Sequence, residues 1–357
     1  MKKKILFICG SLNQTTIMHK ISMHLNEYDN YFTPYYADGY LKLLVKRGLL
    51  NFSILGGEFF KKTCEYLTAN NLKVDFEGKK NNYDLVFTCS DLIIQKNIHG
   101  KRIILVQEGM TDPENIFFWL AKKLKLPRFL ASTSTSGLSD EYDFFCVASE
   151  GYKNFFIKKG VKKEKIIVTG LPNFDNCRSF LNNNFPLKNF VLVATSDARE
   201  TFKYENRKKF ILNAVKIAAR KKLVFKLHPN ENFKRAIKEI HKIDPHADVY
   251  TEGNINEMIA NCDTLITKYS SVVYVGMVLG KEVYSDFDIT SLINMTPLQN
   301  EGKSALKIAS IGKRILEEKY SEYAFEEIKK FPVHSIKKHL VTLFGGLNEF
   351  KKPEISS

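Results

Sequence analysis

Lys226-Leu227-His228-Pro229 and Thr267-Lys268-Tyr269-Ser270-Ser271 decide the fold. Each closes a short apolar run: Lys222 to Leu227 reads K-L-V-F-K-L and is stopped by the proline, and Asp263 to Thr267 reads D-T-L-I-T. Runs of this length, β-branched or aromatic in the middle, predict buried strands. Val272 to Leu279 follows the second run and has the length and apolarity of a helix packed on a sheet. In an open parallel sheet, ligands collect beyond the carboxyl ends of the strands, and the free N–H groups that open a helix favour an anion. His228, Ser270 and Ser271 are the donors a phosphate needs there. Lys226, Pro229, Thr195 and Ser196 are weaker members of the same group, and Lys226 can equally point to solvent from its strand.

The same alternation of strand and helix runs through the whole chain and predicts parallel α/β layers. Ile5 to Cys9 is the opening strand, followed by helical spacing from Thr15 to Asn26. Further strands are expected at Asp84 to Thr88, Arg102 to Gln107, Phe144 to Ala148 and Lys165 to Thr169. The pattern resets across a polar stretch with Asn182-Asn183-Asn184 and Pro186. New strands follow at Phe190 to Ala194, Leu223 to Leu227, Asp248 to Tyr250, Thr264 to Thr267 and Glu282 to Tyr284. Residues 1–180 therefore read as one Rossmann-like domain, 187–320 as a second, and 321–357 as C-terminal helices with a basic tail, including an amphipathic helix from His334 to Phe344.

A chain of 357 residues suits two domains. With 44% hydrophobic and 26% charged residues it has the composition of a globular protein, and no apolar stretch approaches the roughly 18 residues of a membrane span. Lys2-Lys3-Lys4 precedes an apolar run too short for a signal peptide, so the reading is cytoplasmic. Six scattered cysteines without C-x-x-C spacing indicate neither zinc nor disulfides, only reduced thiols near the core. The net charge of +15 implies acidic company, whether nucleotide phosphate or anionic lipid, with peripheral attachment to the inner membrane face as one consequence. Nucleic acid is disfavoured, because the lysines are spread and no recognised binding motif accompanies them.

Leu265-Ile266-Thr267-Lys268-Tyr269-Ser270-Ser271-Val272, with Leu279-Gly280-Lys281 after it, resembles the I-T-D-Y-S-S…L-G-K-P segment of the CDP-glycerol glycerophosphotransferases. His228-Pro229 resembles that family's His-Pro motif, and both elements are similar to motifs of bacterial sialyltransferases and β-Kdo transferases. The resemblance is strongest from about residue 165 to 285. It implies the GT-B architecture, two Rossmann-like domains facing across a cleft, and a cytidine-nucleotide donor held by the C-terminal one. Lys268 stands where the family pattern has aspartate, and Val275 and Glu282 replace an acidic residue and the proline. The acidic side chain that grips a ribose is thus absent from its expected place. The UDP-GlcNAc 2-epimerases, another GT-B group, are matched only at the strand and the first serine.

The facing chemistry is expected from the N-terminal domain. Arg102 to Gln107 stops at Glu108-Gly109-Met110-Thr111-Asp112, presenting a carboxylate beside a glycine at a strand end. This resembles the acidic motif in which sialyl- and β-Kdo transferases carry their base. A direct displacement needs such a base on the acceptor hydroxyl, with Glu108 first, Asp112 second and Asp91 a distant third; Glu108 can equally cap the next helix, Pro113 to Lys123. The Ser/Thr-rich stretch Pro127 to Asp140 reads as a mobile loop beside the cleft. Neither G-x-x-x-x-G-K-[ST] nor G-x-G-x-x-G occurs, which removes the main support for kinases and dehydrogenases. Asp286-Phe287-Asp288, the only D-x-D spacing, reads as a solvated loop, so neither a metal nor a cofactor is expected.

The resulting expectation is an inverting, metal-independent GT-B transferase moving a sugar or glycerol-phosphate unit from a CMP-, CDP- or UDP-activated donor to a glycan or lipid-linked precursor of a bacterial cell surface. The alternatives are a nucleotide-sugar epimerase and a non-catalytic basic binding protein on the same fold.

Overall fold

Ile5, Leu6, Phe7, Ile8 and Cys9 are at most 1% exposed, because the strand they form has neighbours on both edges and helices on both faces. The computed structural model describes residues 2–317, apart from 115, 125, 202 and 203. The first half runs β1 (Lys4–Cys9), α1 (Leu12–Ser22), β2 (Asp29–Pro34), α2 (Gly39–Lys46), α3 (Gly57–Ala69), β3 (Leu85–Thr88), β4 (Arg102–Val106), α4 (Ile116–Leu124), β5 (Phe144–Val147), α5 (Glu150–Lys159) and β6 (Ile166–Val168). Its six strands are parallel in the order β2-β1-β3-β4-β5-β6. β2 reads D-N-Y-F-T-P and lacks the apolar run that marks the others. It is an edge strand, registered from Lys4↔Asp29 to Cys9↔Pro34, and an edge tolerates its closing proline.

The second half runs β7 (Val191–Ala194), α6 (Arg207–Ala218), β8 (Leu223–Lys226), α7 (Phe233–His241), β9 (Asp248–Tyr250), α8 (Ile255–Asn261), β10 (Thr264–Ile266), α9 (Val272–Val278), β11 (Glu282–Tyr284), α10 (Ile289–Met295) and α11 (Ser304–Leu316). Its parallel order is β11-β10-β7-β8-β9. The chain moves outward from β7 through β8 to β9, then returns to the other side of β7. The β7/β10 boundary is the topological switch point, the place beyond whose carboxyl ends open α/β sheets hold their ligands.

The two sheets are not independent bodies. One continuous core joins Leu6, Val86 and Leu105 of the first sheet to Leu192, Val224 and Leu265 of the second. α11 falls within the segment assigned by sequence to the second domain, yet it returns to the first sheet. Its Ile308, Ile311 and Ile315 share a core with Ile5, Phe7, Leu85 and Phe87, and Lys3 Nζ donates to the Leu316 carbonyl. The stretch expected as a mobile loop is instead fastened: Arg128–Thr135 forms tight 3-10 turns, and both oxygens of the buried Asp91 accept backbone N–H groups, from Gly137 and Ser139, at 3.0 Å. All six cysteines are free and five are buried, with burial pushing the Cys9 thiol up to about 12. The expected helix His334–Phe344 and the basic tail lie outside the described residues.

Candidate functional site

On the second sheet, His228 follows β8 with its side chain partly exposed. Its Nδ1 accepts the Asn230 N–H at 3.3 Å and lies 3.6 Å from Asp197 Oδ2. Nδ1 acting as acceptor leaves the ring proton of the neutral form on Nε2, which has no partner among the described residues. Burial lowers the pKa of His228 below its ordinary 6.5, against the pull of Asp197 and Glu231. The neutral ring with a free Nε2–H is a hydrogen-bond donor suited to a phosphate oxygen.

Behind His228 lies a buried charge network. The His228 N–H donates to Thr195 Oγ1 at 3.1 Å and Glu231 Oε2 at 2.9 Å, and Thr195 Oγ1 itself donates to Glu231. Arg207 Nη2 meets the other oxygen of Glu231, while its Nε lies 2.7 Å from Glu205 Oε1; Ser196 Oγ donates to Glu205 Oε2 at 2.9 Å. Charges buried to this degree persist only when paired, so the network holds the strand-end loop in one shape. Thr195 and Ser196 are occupied within it. Lys226 does not reach solvent: it is 6% exposed, and its ammonium donates to the Leu227 and Thr251 carbonyls at 3.0 and 3.1 Å, with burial lowering its pKa. Pro229 contributes a carbonyl, which accepts Lys62 Nζ of α3 at 3.3 Å.

After β10, Ser271 occupies the N-cap position of α9, but neither serine side chain caps the helix. The Ser271 and Val272 N–H groups have no acceptor among the described residues, whereas the Ser270 N–H donates to the Lys268 carbonyl at 3.2 Å. Thr267 Oγ1, at the end of the same strand, is buried without a partner. Lys268, in the aspartate position, lies over the Phe210 ring and 3.9 Å from Asp286 Oδ2. Val275 is fully buried in α9, where a carboxylate would sit in the core, and Glu282 accepts the Thr264 hydroxyl at 2.8 Å. Asp288 caps α10 through the Ser291 N–H at 2.8 Å. Among the described residues no cluster of three or more His, Cys, Asp or Glu is placed to hold a metal ion.

On the first sheet, Glu108 leaves β4 and meets the N-terminus of α1, the helix after β1, and not the helix that follows it in sequence. Its Oε1 accepts Ser11 Oγ at 2.6 Å and Asn13 Nδ2 at 3.4 Å, and its Oε2 accepts Gln14 Nε2 at 2.5 Å. A carboxylate offers about four acceptor directions, so one on Oε2 is unused by these bonds. Ser11-Leu12-Asn13-Gln14 has the S-x-x-Q form of a capping box: Ser11 Oγ accepts the Gln14 N–H at 3.2 Å, but the Gln14 amide turns to Glu108. Gly10 permits this, since a Cβ there would meet Gln14 Oε1 at 1.9 Å. Asp112 is bonded to Thr133 through both its N–H and its carboxylate, each at 2.9 Å. Asp91 is consumed by the 137–139 turn.

The Glu108 loop and the serine pair meet directly. Ser271 Oγ accepts the Met110 N–H at 2.9 Å, and a Cβ on Gly109 would stand 2.5 Å from that oxygen. Beside this contact, Tyr152 of α5 and Tyr274 of α9 join their buried hydroxyls at 2.8 Å. The loop that carries Glu108 thus meets Ser271 between the two halves, and Lys62 of α3 meets the Pro229 carbonyl, one residue after His228. The supporting residues Glu231, Arg207, Glu205, Ser11, Gln14 and Lys62 escaped the sequence reading. Glu231, three residues after His228, and the S-x-x-Q pattern were the legible signals.

Residues 120–285 match the family model of the CDP-glycerol:poly(glycerophosphate) glycerophosphotransferases. No curated protein matches the chain. Among solved structures, S. aureus MnaA with UDP is similar over 100% of both chains at 12% identity, TM-score 0.52. The UDP-GlcNAc 2-epimerase of Methanocaldococcus jannaschii, in complex with UDP-GlcNAc and UDP, covers 87% of this chain and 99% of its own at 14% identity, TM-score 0.53. The wall teichoic acid polymerase TagF soaked with CDPG covers 89% and 90% at 12% identity, TM-score 0.48. At these identities likeness to the first two of these structures concerns fold, and the family match concerns the segment that carries His228 and the serine pair. By that fold and that match the chain is a GT-B transferase, similar over residues 120–285 to the CDP-glycerol glycerophosphotransferases.

Proposed function

We propose that the protein moves a glycerol-phosphate or sugar unit from a cytidine-nucleotide donor to a hydroxyl of a cell-surface glycan precursor, by direct displacement and without a metal. The observation that carries this reading is the meeting of the Glu108-Gly109-Met110 loop with Ser271, which sets a carboxylate beside a group of unsatisfied phosphate donors. The donor phosphates lie against the free Ser271 and Val272 N–H groups and the Nε2–H of His228. Glu108, oriented by Ser11, Asn13 and Gln14, takes the proton of the acceptor hydroxyl through the free side of Oε2. The acceptor oxygen bonds to the transferred unit as the bond to the nucleotide phosphate breaks, inverting the reacting centre. Negative charge growing on the leaving nucleotide is met by donors already in place, which is where preorganised hydrogen bonds lower a barrier. Lys62 adds positive charge on the facing side.

Incubation with CMP-, CDP- and UDP-activated donors, with and without glycan acceptors, tests the proposal. Acceptor-dependent release of CMP or CDP is the expected outcome. Conversion of the donor's sugar without release of nucleotide from the donor would make the protein an epimerase, and binding without turnover would leave a non-catalytic member of the fold.

A further inference from the structure

Gln107 lies between β4 and Glu108 and is 3% exposed. Its Nε2 donates to the Gly109 carbonyl at 2.7 Å, bridging over Glu108, and its Oε1 accepts the Ala148 N–H at 2.9 Å just past β5. Its own N–H donates to the Cys146 carbonyl at 2.9 Å, so this one residue carries the β4–β5 pairing on beyond Val106↔Cys146. A buried amide so placed satisfies two backbone groups and pins the Glu108-Gly109 turn to the end of β5. Ser149, one residue after Ala148, caps α5 by accepting the Tyr152 N–H at 3.3 Å. Tyr152 in turn meets the Tyr274 hydroxyl of α9 at 2.8 Å, each residue being 1% exposed. The Tyr274 N–H donates to the Ser271 carbonyl at 3.1 Å, and Ser271 Oγ accepts the Met110 N–H. Burial raises both phenols far above their ordinary range, with the Gln107 amide acting on Tyr152 in the opposite sense, so both stay protonated in neutral solution.

These bonds close a ring that runs from Gln107 to Gly109, through Met110 to Ser271 and Tyr274, and back by Tyr152, Ser149 and Ala148. Two of its links, Met110 to Ser271 and Tyr152 to Tyr274, join the two halves of the chain. The bonds of the Glu108 carboxylate to Ser11, Asn13 and Gln14 fix it only to α1 of its own half. Its register against α9 comes from the ring. We infer that Gln107 is a positioning residue for transfer, holding Glu108 in line with the donor by way of Gly109, and that the Tyr152–Tyr274 pair is the tie by which the second half supports it. The inference rests on the transferase reading with Glu108 as base. A proton transfer needs hydrogen-bond reach, and a misplacement of about 1 Å costs on the order of a hundredfold in rate.

Gln107→Met keeps the length of the side chain and removes both of its bonds. Measured with donor and acceptor well below each protein's melting transition, kcat should fall about tenfold or more while KM for the donor stays within about threefold. The acidic limb of the kcat profile should stay at its wild-type pH, because the base is displaced and not replaced. Tyr152→Phe and Tyr274→Phe each leave the other buried hydroxyl without this partner, whereas the double variant removes both. The denaturation midpoint should therefore fall in each single variant and largely recover in the double one, with kcat low in all three. A role in stability alone predicts the opposite: kcat at the wild-type level in Gln107→Met, or restored together with the midpoint in the double variant. Either result overturns the proposal, and if Gln107→Met does not fold, the double variant decides. Failure of the transferase reading is separately visible, as wild-type protein that releases no nucleotide with any acceptor or as a fully active Glu108→Gln, and the proposal falls with it. An inactive Glu108→Gln beside an unimpaired Gln107→Met overturns the positioning role alone.

Discussion

Ser271 and Met110 lie 161 residues apart and meet between the two halves, the serine hydroxyl accepting the Met110 N–H at 2.9 Å. Gly109 makes the approach possible. Gly109→Ala places a methyl 2.5 Å from Ser271 Oγ and 3.4 Å from its Cβ, so the loop or the serine must shift. Turnover should fall at least tenfold, because displacements of this order spoil alignment of reacting groups. Adding Ser271→Ala removes the nearer clash and should restore part of the loss. A double-mutant cycle on kcat/KM checks this, and strict additivity would argue against the contact.

His228→Ala should lower kcat by about 10² or more with little change in thermal stability, as expected for loss of one preorganised donor. Its pH dependence has a definite sign. The unfolded imidazole binds its proton near 6.5, the native one only at lower pH. Between those values the unfolded chain holds more protons, so this group's contribution to stability is complete above 6.5 and is lost as pH falls through the window. Proton NMR of the His228 ring should give a midpoint below 6.5, and turnover should stay level above that pH as far as His228 controls it. A midpoint above 6.5 would reverse the assignment.

Glu108→Gln preserves shape and removes the base, so transfer should be abolished while nucleotide affinity stays within about threefold. The substitution also turns an amide toward Ser11, Asn13 and Gln14, which are donors, at a cost of about 1 kcal/mol of stability. Calorimetric nucleotide binding alongside single-turnover kinetics separates the two effects. Retained transfer would return the role to Asp112.

Glu231→Ala leaves Arg207 with Glu205 alone and strips the His228 N–H of one acceptor. Removing one partner of a buried pair costs about 3 kcal/mol or more, readable as a fall in denaturation midpoint. Lys222→Ala, which breaks an exposed pair with Asp248, should change it far less.

Ser270→Ala and Ser271→Ala should differ. Both should weaken nucleotide affinity if the hydroxyls meet phosphate, but only Ser271→Ala also leaves the Met110 N–H without its acceptor. Thermal melts with and without nucleotide compare them, and equal behaviour in both would set aside the interdomain role of Ser271.

Most of the fold was legible because a strand buried on both faces must be apolar along its length, as β1, β4, β7 and β8 are. The carboxyl-end positions of His228 and Ser271 followed from where the β8 and β10 runs stop. β2 was not legible, since an edge strand needs no such run and D-N-Y-F-T-P has none. Nor was the place of α11, because its isoleucines specify a buried face without saying which sheet provides the cover.

Local patterning therefore determined the two layered halves and the strand ends at which polar groups cluster, because burial and backbone geometry act on neighbouring residues. Tertiary structure alone decided the partners. It set Glu108 on the helix after β1, spent Lys226 on two carbonyls and Asp91 on a turn, and enclosed Arg207 between Glu205 and Glu231. Hydrogen bonds and ion pairs are fixed by distances of a few ångströms between residues remote in the chain, and those distances exist only once both sheets share one core.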